Sequence, residues 1–419
     1  MSFEIPNIGD IEELLDQLCR ATGNFKQDHN DLERIAALKA ARRLVQALEK
    51  PYDMALMTGS SPVQPLCVRI AIDLDIFKTL TERDGLVNLR NWPRSRTRTL
   101  CSQVIMLHLN IVDSCTLTST FLWIERVLRI LAGAGYVVEY DIRVYAANAM
   151  TRYMSTPGAV AVLKFGFDVC MPLYAKAPEY FRENGFQTPL ESNKGLFQYV
   201  EKTEESMWSL LFKNQENMDE FYVHMTGRKA NRPTWIDWFP VQECIIDGFE
   251  DQEGGVLLVD VAGGRGYDLE IFHAKFSDVP GRLIVEDLPQ VLEGMTLSPG
   301  IECQPFDLFE AQPVKGARAY YMKFVLHDWA DRQCHQILQQ FKGTMKKGYS
   351  KLLIEEVILA DKDAEPIPSL GDWMMLAVHC GMERTRSHWE RLLTASGFQV
   401  VKFWDPPYPG QSIIEAEVS

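Results

Sequence analysis

A chain of 419 residues is long enough to form more than one domain, each with its own apolar core. Hydrophobic residues make up 46% of it and charged residues 24%, a balance that argues against a disordered chain. The formal net charge of −14 disfavours a nucleic acid as the main partner, because phosphate groups would be repelled.

The nine cysteines are scattered along the chain and include no C-x-x-C pair. An odd, dispersed set indicates reduced thiols in an intracellular protein and argues against a zinc site or a disulfide framework. The first residues, MSFEIPNIGDIEELL, lack the basic and apolar regions of a signal peptide, and no apolar run reaches membrane-spanning length. We therefore expect a cytoplasmic protein with no metal site and no membrane or nucleic-acid partner.

Helical patterns dominate the first part of the chain. Residues 9–50 carry apolar residues three and four apart, and this face either packs on its own chain or pairs with a second subunit. Helical patterns over 68–80 and 121–134 follow, and then a short strand over 136–140. This outline is typical of a winged-helix domain over residues 1–150, although the acidic charge argues against DNA as its ligand.

The segment 90–120 does not fit this outline. It opens with four arginines and shows little helical periodicity. Two hypotheses remain open: a basic insertion, or intron-derived sequence carried through a gene model. Sequencing the transcript would separate them, because an mRNA that retains all of these codons rules out the second.

Residues 151–245 are mostly helical in pattern and rich in aromatic residues and methionine. Most of these side chains belong to an ordinary core. As a set they indicate a helical layer that forms an apolar pocket against the domain that follows, and such a pocket suits a flat aromatic or polyene ligand.

From residue 246 to the C-terminus, strand and helix patterns alternate, which is typical of a parallel sheet covered on both faces. The predicted strands cover 256–261, 282–286, 318–325, 351–358, 399–404 and 412–418, and the predicted helices include 329–346 and 386–396. Only the turn PPYPG separates the last two strands, so we expect an antiparallel hairpin at the sheet edge.

The first of these strands leads into a glycine-rich turn, in the sequence VLLVDVAGGRGYD of residues 256–268. Gly263, Gly264 and Gly266 allow backbone angles and a close ligand approach that side chains forbid, and the next helix offers unpaired N–H groups. About twenty residues later, Asp287 ends a strand where an acid accepts hydrogen bonds from ribose hydroxyls. A turn of this type is shared by dinucleotide, nucleotide and S-adenosylmethionine sites.

Four further motifs follow in order: FDLFE (306–310), YYMKFVLHDWAD (320–331), LLIEEVIL (352–359) and GMERT (381–385). With the turn, they resemble the S-adenosylmethionine-dependent O-methyltransferases of the plant caffeate and fungal secondary-metabolite type, over roughly residues 120–419. The resemblance implies an α/β fold, with a Rossmann-like class I methyltransferase sheet over 246–419 that binds S-adenosylmethionine. It also implies an N-terminal, mainly α winged-helix dimerisation domain and a homodimer.

By motif position, the resemblance also implies the cofactor residues. The methionine portion of S-adenosylmethionine would be supported by Asp260 and the glycine turn, the ribose by Asp287, and the adenine by Asp307, Leu308 and Lys323. One departure from the family is Ala262, where relatives have glycine. Alanine suits that position only if its φ is negative, so the affinity for the cofactor is in question there.

His327 coincides with the general base of the family, and Glu356 and Glu383 coincide with the two acids beside it. An imidazole with a pKa near neutrality is suited to removing a hydroxyl proton while a methyl group is transferred in line. A carboxylate bound to the imidazole fixes its tautomer and favours the imidazolium. Two alternatives stay open: Glu355 in place of Glu356, and a surface pair of Glu383 with Arg384 or Arg386.

Three hypotheses follow. The leading one is methyl transfer from S-adenosylmethionine to a hydroxyl of an aromatic or polyketide-type secondary metabolite. The second is a methyltransferase-like pericyclase that binds the cofactor without transferring methyl, for which Ala262, the segment 90–120 and the apolar pocket leave room. The third, a winged-helix regulator, requires DNA binding and conflicts with the acidic charge.

Overall fold

The computed structural model describes residues 8–28, 31–83, 85–89, 92, 114–229, 233–250 and 253–419. The chain forms two compact units: Met1–Val169 with Asp219–Ala230, and Cys170–Met218 with Asn231–Ser419. The three-part division expected from the sequence, 1–150, 151–245 and 246–419, stays a prediction. Apart from residues 92 and 114–120, the segment 90–120 lies outside the described residues.

The first unit is mainly helical. Helices α1 to α8 cover Ile8–Asp28, Asp31–Leu48, Pro51–Ser60, Val63–Asp73, Ile76–Glu82, Ser114–Gly133, Ala149–Met154 and Pro157–Lys164. Strands β1 to β3, Val87–Asn88, Val138–Asp141 and Val144–Ala146, form an antiparallel sheet in the order β1-β3-β2. Helices packed on a small antiparallel sheet are consistent with the winged-helix prediction.

The prediction of one continuous helix over residues 68–80 is wrong. Two helices, α4 and α5, replace it, because the chain turns at Leu74 and Asp75. Asp75 has a φ of 51°, in the left-handed region that aspartate tolerates better than most residues. The apolar pattern continues across this break because both helices bury residues in one core, among them Val68 and Phe77.

A π-helical segment, Phe165–Cys170, joins α8 to α9, Met171–Glu183. Among the described residues, the stretch Pro157–Glu183 is the one that has the length and hydropathy of a membrane span, with a mean hydropathy of 1.4 over its best window. It contains Lys164 and Asp168, so it is not the continuous apolar run that a sequence search looks for. One such stretch is weak evidence for a membrane span.

The second unit contains a seven-stranded sheet. Strands β4 to β8 cover Val256–Val261, Arg282–Asp287, Ile301–Pro305, Ala319–Lys323 and Lys351–Glu356; β9 and β10 cover Ile358–Leu359 and Arg384–Thr385; β11 and β12 cover Phe398–Trp404 and Ser412–Val418. The order is β11-β12-β8-β7-β4-β5-β6. Strands β4 to β8 are parallel to their neighbours among themselves, and β12 runs antiparallel to both β8 and β11, so the predicted hairpin is confirmed.

The remaining helices follow α9 along the chain. Helices α10 to α18 cover Leu196–Glu201, Met207–Phe212, Gln215–Lys229, Trp235–Trp238, Tyr267–Lys275, Pro289–Leu292, Asp331–Lys342, Pro366–His379 and Arg386–Ala395. On one face, Val259 and Val261 of β4 belong to the same core cluster as the buried stripe of α16. On the other face, Leu258 of β4 clusters with Trp235 and Phe272. Both faces of the sheet are therefore covered, as expected for parallel strands.

The buried stripe on α16 consists of Cys334, Ile337, Leu338 and Phe341, which are spaced three and four residues apart as in an amphipathic helix. Full burial of each large apolar side chain contributes about 1.5–3 kcal/mol, so this stripe fixes the helix on the sheet.

The chain places β5 and β6 on one side of β4 and then returns to place β7 and β8 on the other. The carboxyl end of β4 is therefore the topological switch point, where open α/β sheets bind ligands. Strand β6 was not predicted from the sequence. It lies at the sheet edge with every residue at least partly exposed, so it lacks the apolar run that marked its neighbours.

Candidate active site

The glycine turn lies at this switch point. Gly264 and Gly266 have φ values of 60° and 71°, a region that favours glycine. A β-carbon on Gly263 would lie 2.5 Å from the carboxylate of Asp260, whereas one on Gly264 would meet nothing within 4 Å. The turn thus packs tightly on the end of β4 while its backbone at Gly264 faces open space, which fits a cofactor that lies against the backbone.

Ala262 does not meet the condition under which alanine suits this position. Its φ is 54°, not negative, so alanine adopts a left-handed conformation that favours glycine. This conformation costs an L-residue roughly 1–2 kcal/mol. The methyl group packs against the same core cluster as Leu308, and this contact offsets part of the cost.

Asp287 connects the turn to the end of β5. Its carboxylate accepts hydrogen bonds from the N–H of Gly264 at 2.8 Å and from that of Leu288 at 2.7 Å. Burial raises the pKa of Asp287, and these two N–H groups work against the rise. The N–H of Phe306 donates to the Asp287 carbonyl at 2.9 Å, so Asp307 is also brought to this edge, where it accepts from Phe309.

Lys323 lies in a buried cluster with two acids. Its Nζ is 2.9 Å from Asp268 and 3.1 Å from Glu355, which also accepts a hydrogen bond from the Tyr321 hydroxyl. Burial opposes the charge of Lys323, but the two carboxylates outweigh it and raise the pKa. The contact of Lys323 with adenine stays a prediction, and its ammonium is already paired here.

His327 lies in a 3-10 turn, Leu326–Asp328, that follows β7. Oε1 of Glu356 accepts the N–H groups of Val325, Leu326 and His327 at 3.1, 3.0 and 3.3 Å. Nδ1 of His327 is 3.0 Å from Oε1 of Glu383 and 3.5 Å from Oε2 of Glu356. The structure therefore brings His327, Glu356 and Glu383 together and places Glu355 with Lys323 instead.

The electrostatics of this group favour a proton on the imidazole. His327 is 4% exposed; burial lowers its pKa, but Glu356 and Glu383 reverse this and raise it to about 10. Burial raises the pKa of Glu356 to about 7. The same three side chains offer ligand atoms within 4.8 Å of one another, a spacing that would also suit a metal ion. Because Nδ1 of His327 is bound to Glu383, its Nε2 is the ring nitrogen that remains for the hydroxyl group of a substrate.

The dipeptide that contains Glu383 also fixes the turn of His327. Arg384 is fully buried and donates to the carbonyls of Leu326 and Trp329 at 2.9 and 2.7 Å and to Asp331 at 2.9 Å. Glu383 thus binds the imidazole while Arg384 binds the backbone that carries it. The alternative of a surface pair for Glu383 is wrong, because Arg384 is engaged at the turn and Arg386 pairs with Asp405.

Two residues of the site were missed. Helix α16 begins at Asp331 with Ala330 as its N-cap, so Asp328 lies before the helix and does not cap it. Instead, Oδ1 of Asp328 is 3.5 Å from Nε2 of His327 and 3.7 Å from Nε2 of His379. The sequence signals were weak: Asp328 adjoins the histidine, and His379 only ends an apolar helix ahead of GMERT.

The fold and this site define a class I, Rossmann-like methyltransferase, and comparison with known proteins gives the family. A family model described as an O-methyltransferase domain matches residues 235–399. The O-methyltransferase penC of Penicillium thymicola is 34% identical over 394 residues, which are 93% of each chain. The chain belongs to the O-methyltransferase family.

Two solved structures share the fold. LepI in complex with S-adenosylmethionine has a TM-score of 0.81 and 22% identity, and the match covers 98% of this chain and 100% of that one. OxaC in complex with sinefungin and meleagrin has a TM-score of 0.80 and 23% identity, over 98% and 99%. The chain is thus an S-adenosylmethionine-dependent O-methyltransferase of the fungal secondary-metabolite type, acting on a small molecule.

Proposed function

We propose that the chain methylates a hydroxyl of an aromatic or polyketide-type metabolite with His327 as the general base. The observation that carries this proposal is the asymmetric environment of the imidazole: Glu383 holds Nδ1, and Glu356 lies behind it. Nε2 is then the atom that takes the hydroxyl proton. The two carboxylates stabilise the imidazolium that forms, an interaction that strengthens as the acceptor loses its proton.

The glycine turn and the acids around it are proposed to hold S-adenosylmethionine. Asp260, Gly263, Gly264 and Gly266 would support the methionine portion, Asp287 the ribose, and Asp307, Leu308 and Lys323 the adenine. The open space at Gly264 and the position of Asp287 beside it support this assignment. The bound cofactor supplies an electrophilic methyl group.

The test is a product assay. The purified chain is incubated with methyl-labelled S-adenosylmethionine and a panel of phenols, and the molecular masses of the products are measured. We expect one methyl group to be gained. A product that is rearranged without gaining a methyl would favour the pericyclase hypothesis instead. The likeness to LepI, at 22% identity, shows the fold alone and does not favour that hypothesis.

We further propose a homodimer formed through the N-terminal helices, in the cytoplasm. No residue of α3 is buried, and it exposes Tyr52 at 67% and Met57 at 69%. Exposed apolar side chains continue on α1 and α2, including Leu38 and Val45. Several exposed apolar side chains on consecutive helices are typical of an interaction site. Light scattering should give twice the chain mass, and Met57→Asp should give a monomer; a wild-type monomer would reject the dimer.

A further inference from the structure

The turn that carries His327 depends on side chains from outside it. The two backbone hydrogen bonds that close the turn, donated by Asp328 and Trp329, are both 3.3 Å long. An ordinary N–H···O bond measures about 2.7–3.2 Å, so these two are weak. Glu356 accepts the N–H groups of the turn, and Arg384 donates to a carbonyl at each end of it, at 2.9 and 2.7 Å. The position of the imidazole therefore depends on where these two side chains are held.

The guanidinium of Arg384 is held by Asp331, the first residue of α16. Nε of Arg384 is 2.9 Å from Oδ1 of Asp331, the one carboxylate paired with it among the described residues. Its other two nitrogens bind backbone carbonyls, and the group lies over the ring of Trp389, 5.2 Å from the centroid. Asp331 thus supplies the charge-assisted bond, which fixes the rotation of the planar guanidinium.

Asp331 is itself held from a second helix. Its Oδ2 is 2.7 Å from Nε2 of His388, in the first turn of α18. Burial works to raise the pKa of Asp331, but the hydrogen bond from His388 and the charge of Arg384 outweigh it and lower the pKa. The carboxylate is therefore ionised and only accepts hydrogen bonds, so Nε2 of His388 is the donor. One carboxylate thus links α16 and α18 to the guanidinium that binds the turn.

Asp331 is not one of the titratable groups that face the imidazole. Those groups come from four places: Glu356 at the end of β8, Glu383 before β10, Asp328 in the turn, and His379 at the end of α17. A change at Asp331 therefore reaches the imidazole chiefly by moving the turn.

We propose that Asp331 is a positioning residue for methyl transfer: by orienting Arg384, it holds the imidazole of His327 beside its two carboxylates. Its role is indirect, because its side chain contacts Arg384 and His388. Indirect positioning is still important for rate, since a displacement of about 1 Å in a reacting group can cost roughly 100-fold. This inference rests on the proposed role of His327 as the base.

The test measures the protonation of His327 directly, by NMR of the full chain isotopically labelled at Cε1 of histidine. The signal of His327 is identified by its absence from His327→Gln. At about pH 8.5, between the ordinary pKa of histidine and the raised pKa of His327, wild type should give an imidazolium signal. Asp331→Ala frees Arg384 to turn, so the imidazole leaves its carboxylates and should give the signal of a neutral ring.

Asp405→Ala is the matched control. Asp405 also pairs with an arginine, Arg386 at 2.5 Å, and with a second donor, the hydroxyl of Ser412 at 2.7 Å. This pair makes no hydrogen bond to the turn within the described structure, so Asp405→Ala should keep the wild-type signal.

Two further variants refine the test. Asp331→Glu keeps a carboxylate and should restore most of the imidazolium signal. Asp331→Asn keeps the shape without the charge and should give an intermediate signal; it replaces Asp331→Ala if that variant does not fold.

Calorimetric titration with S-adenosylhomocysteine separates positioning from a loss of folded protein. Asp331→Ala should bind it within about twofold of wild type, because the glycine turn is not in contact with the substituted residue. A merely structural role would reduce the fraction of chains that bind while their His327 signal stays that of the imidazolium. That result, a neutral ring in wild type at the same pH, or an equal change in Asp405→Ala would overturn the inference.

The two proposals fail separately. Methyl transfer that persists in His327→Gln would reject the base, even where the His327 signal still changes in Asp331→Ala. Transfer that is lost in His327→Gln, with no change of that signal in Asp331→Ala, would retain the base and reject the role of Asp331. If both proposals hold, kcat should fall about 10- to 100-fold in Asp331→Ala while the KM for S-adenosylmethionine stays unchanged.

Discussion

Two buried charge clusters lie at the ends of β7 and β8, and they differ in their cation. In one, the ammonium of Lys323 is shared by Asp268 and Glu355; in the other, the imidazole of His327 is shared by Glu356 and Glu383. Lysine, with a raised pKa, keeps its proton, so the first cluster is a permanent ion group. The pKa of His327 is raised only to about 10, so the imidazole loses its proton at a pH at which Lys323 keeps its own, and the second cluster can exchange a proton. Similar geometry thus gives one permanent ion group and one group that we propose to be reactive.

The strand geometry explains the separation. Lys323 pairs in register with Glu355, and adjacent residues of a strand point to opposite faces. Glu355 and Glu356 therefore reach different clusters although they are neighbours in sequence. Each carboxylate meets a cation, which it needs because an unpaired buried charge is strongly destabilising.

The largest expected effect is on the reactive cluster. His327→Ala removes the proton acceptor and should lower kcat about 100- to 10,000-fold, the usual contribution of general-base catalysis. The affinity for S-adenosylmethionine, measured by titration calorimetry, should stay within about twofold, since the cofactor is proposed to bind at the glycine turn. Full methyl transfer by this variant would remove the distinction between the two clusters.

Removal of the permanent cation should instead affect stability. Lys323→Met leaves Asp268 and Glu355 without their cation and should lower the free energy of unfolding by about 3–5 kcal/mol. The matched control is Lys346→Met, whose exposed partner Glu250 lies at 2.7 Å, with an expected loss below about 1 kcal/mol. Denaturant titration measures both. Equal losses would show that burial does not separate these ion pairs.

The reactive cluster should also show in the pH profile. A general base works when unprotonated, and the carboxylates raise the pKa of His327 to about 10, so kcat/KM should increase with pH up to that region. Glu383→Gln removes one of these carboxylates. The midpoint of the pH profile should move down toward the ordinary pKa of histidine, and kcat/KM should reach a lower plateau. A midpoint that is unchanged by this substitution would dissociate Glu383 from the base.

The same pKa shift bears on stability. A raised pKa means that protonated His327 stabilises the fold at pH values below its unfolded pKa of 6.5, and this contribution is lost as pH rises through about 10.

A smaller effect is expected at Ala262, outside both clusters. Ala262→Gly relieves the left-handed strain but adds freedom to the unfolded chain and removes a core methyl. These contributions oppose one another, so the free energy of unfolding should change by less than about 1 kcal/mol. A loss above about 2 kcal/mol would show that the methyl contact outweighs the strain.

We expect the removal of divalent metal ions by a chelator to leave methyl transfer unchanged. His327, Glu356 and Glu383 have the spacing of a metal site, but the imidazolium supplies the positive charge that the carboxylates need. Methyl transfer should therefore be unchanged after dialysis against EDTA. Loss of activity that is restored by a divalent ion would assign this cluster to a metal instead.

The sequence predicts the strands that carry the site better than the contacts between its side chains. Strands 256–261 and 412–418 are found at the predicted bounds, because each has a strong apolar pattern. The edge strand Ile301–Pro305 was missed because its residues are mostly polar or exposed.

The site shows the same limit. Motif position pointed to His327 and Glu383, which the structure brings together, but the face taken by Glu355 depends on its pairing with β7, and the φ of Ala262 depends on packing around the turn. His379 reaches the site only through the fold of α17, and no spacing in the sequence links it to Asp328.

The contact between Gly381 and the His327 carbonyl has a practical consequence for redesign. Any side chain at position 381 would push the histidine loop out of place, and position 195 is equally closed by Cys380. Directed evolution toward new acceptors should therefore keep both glycines constant. Libraries built that way would keep the loop that carries His327 in its present position.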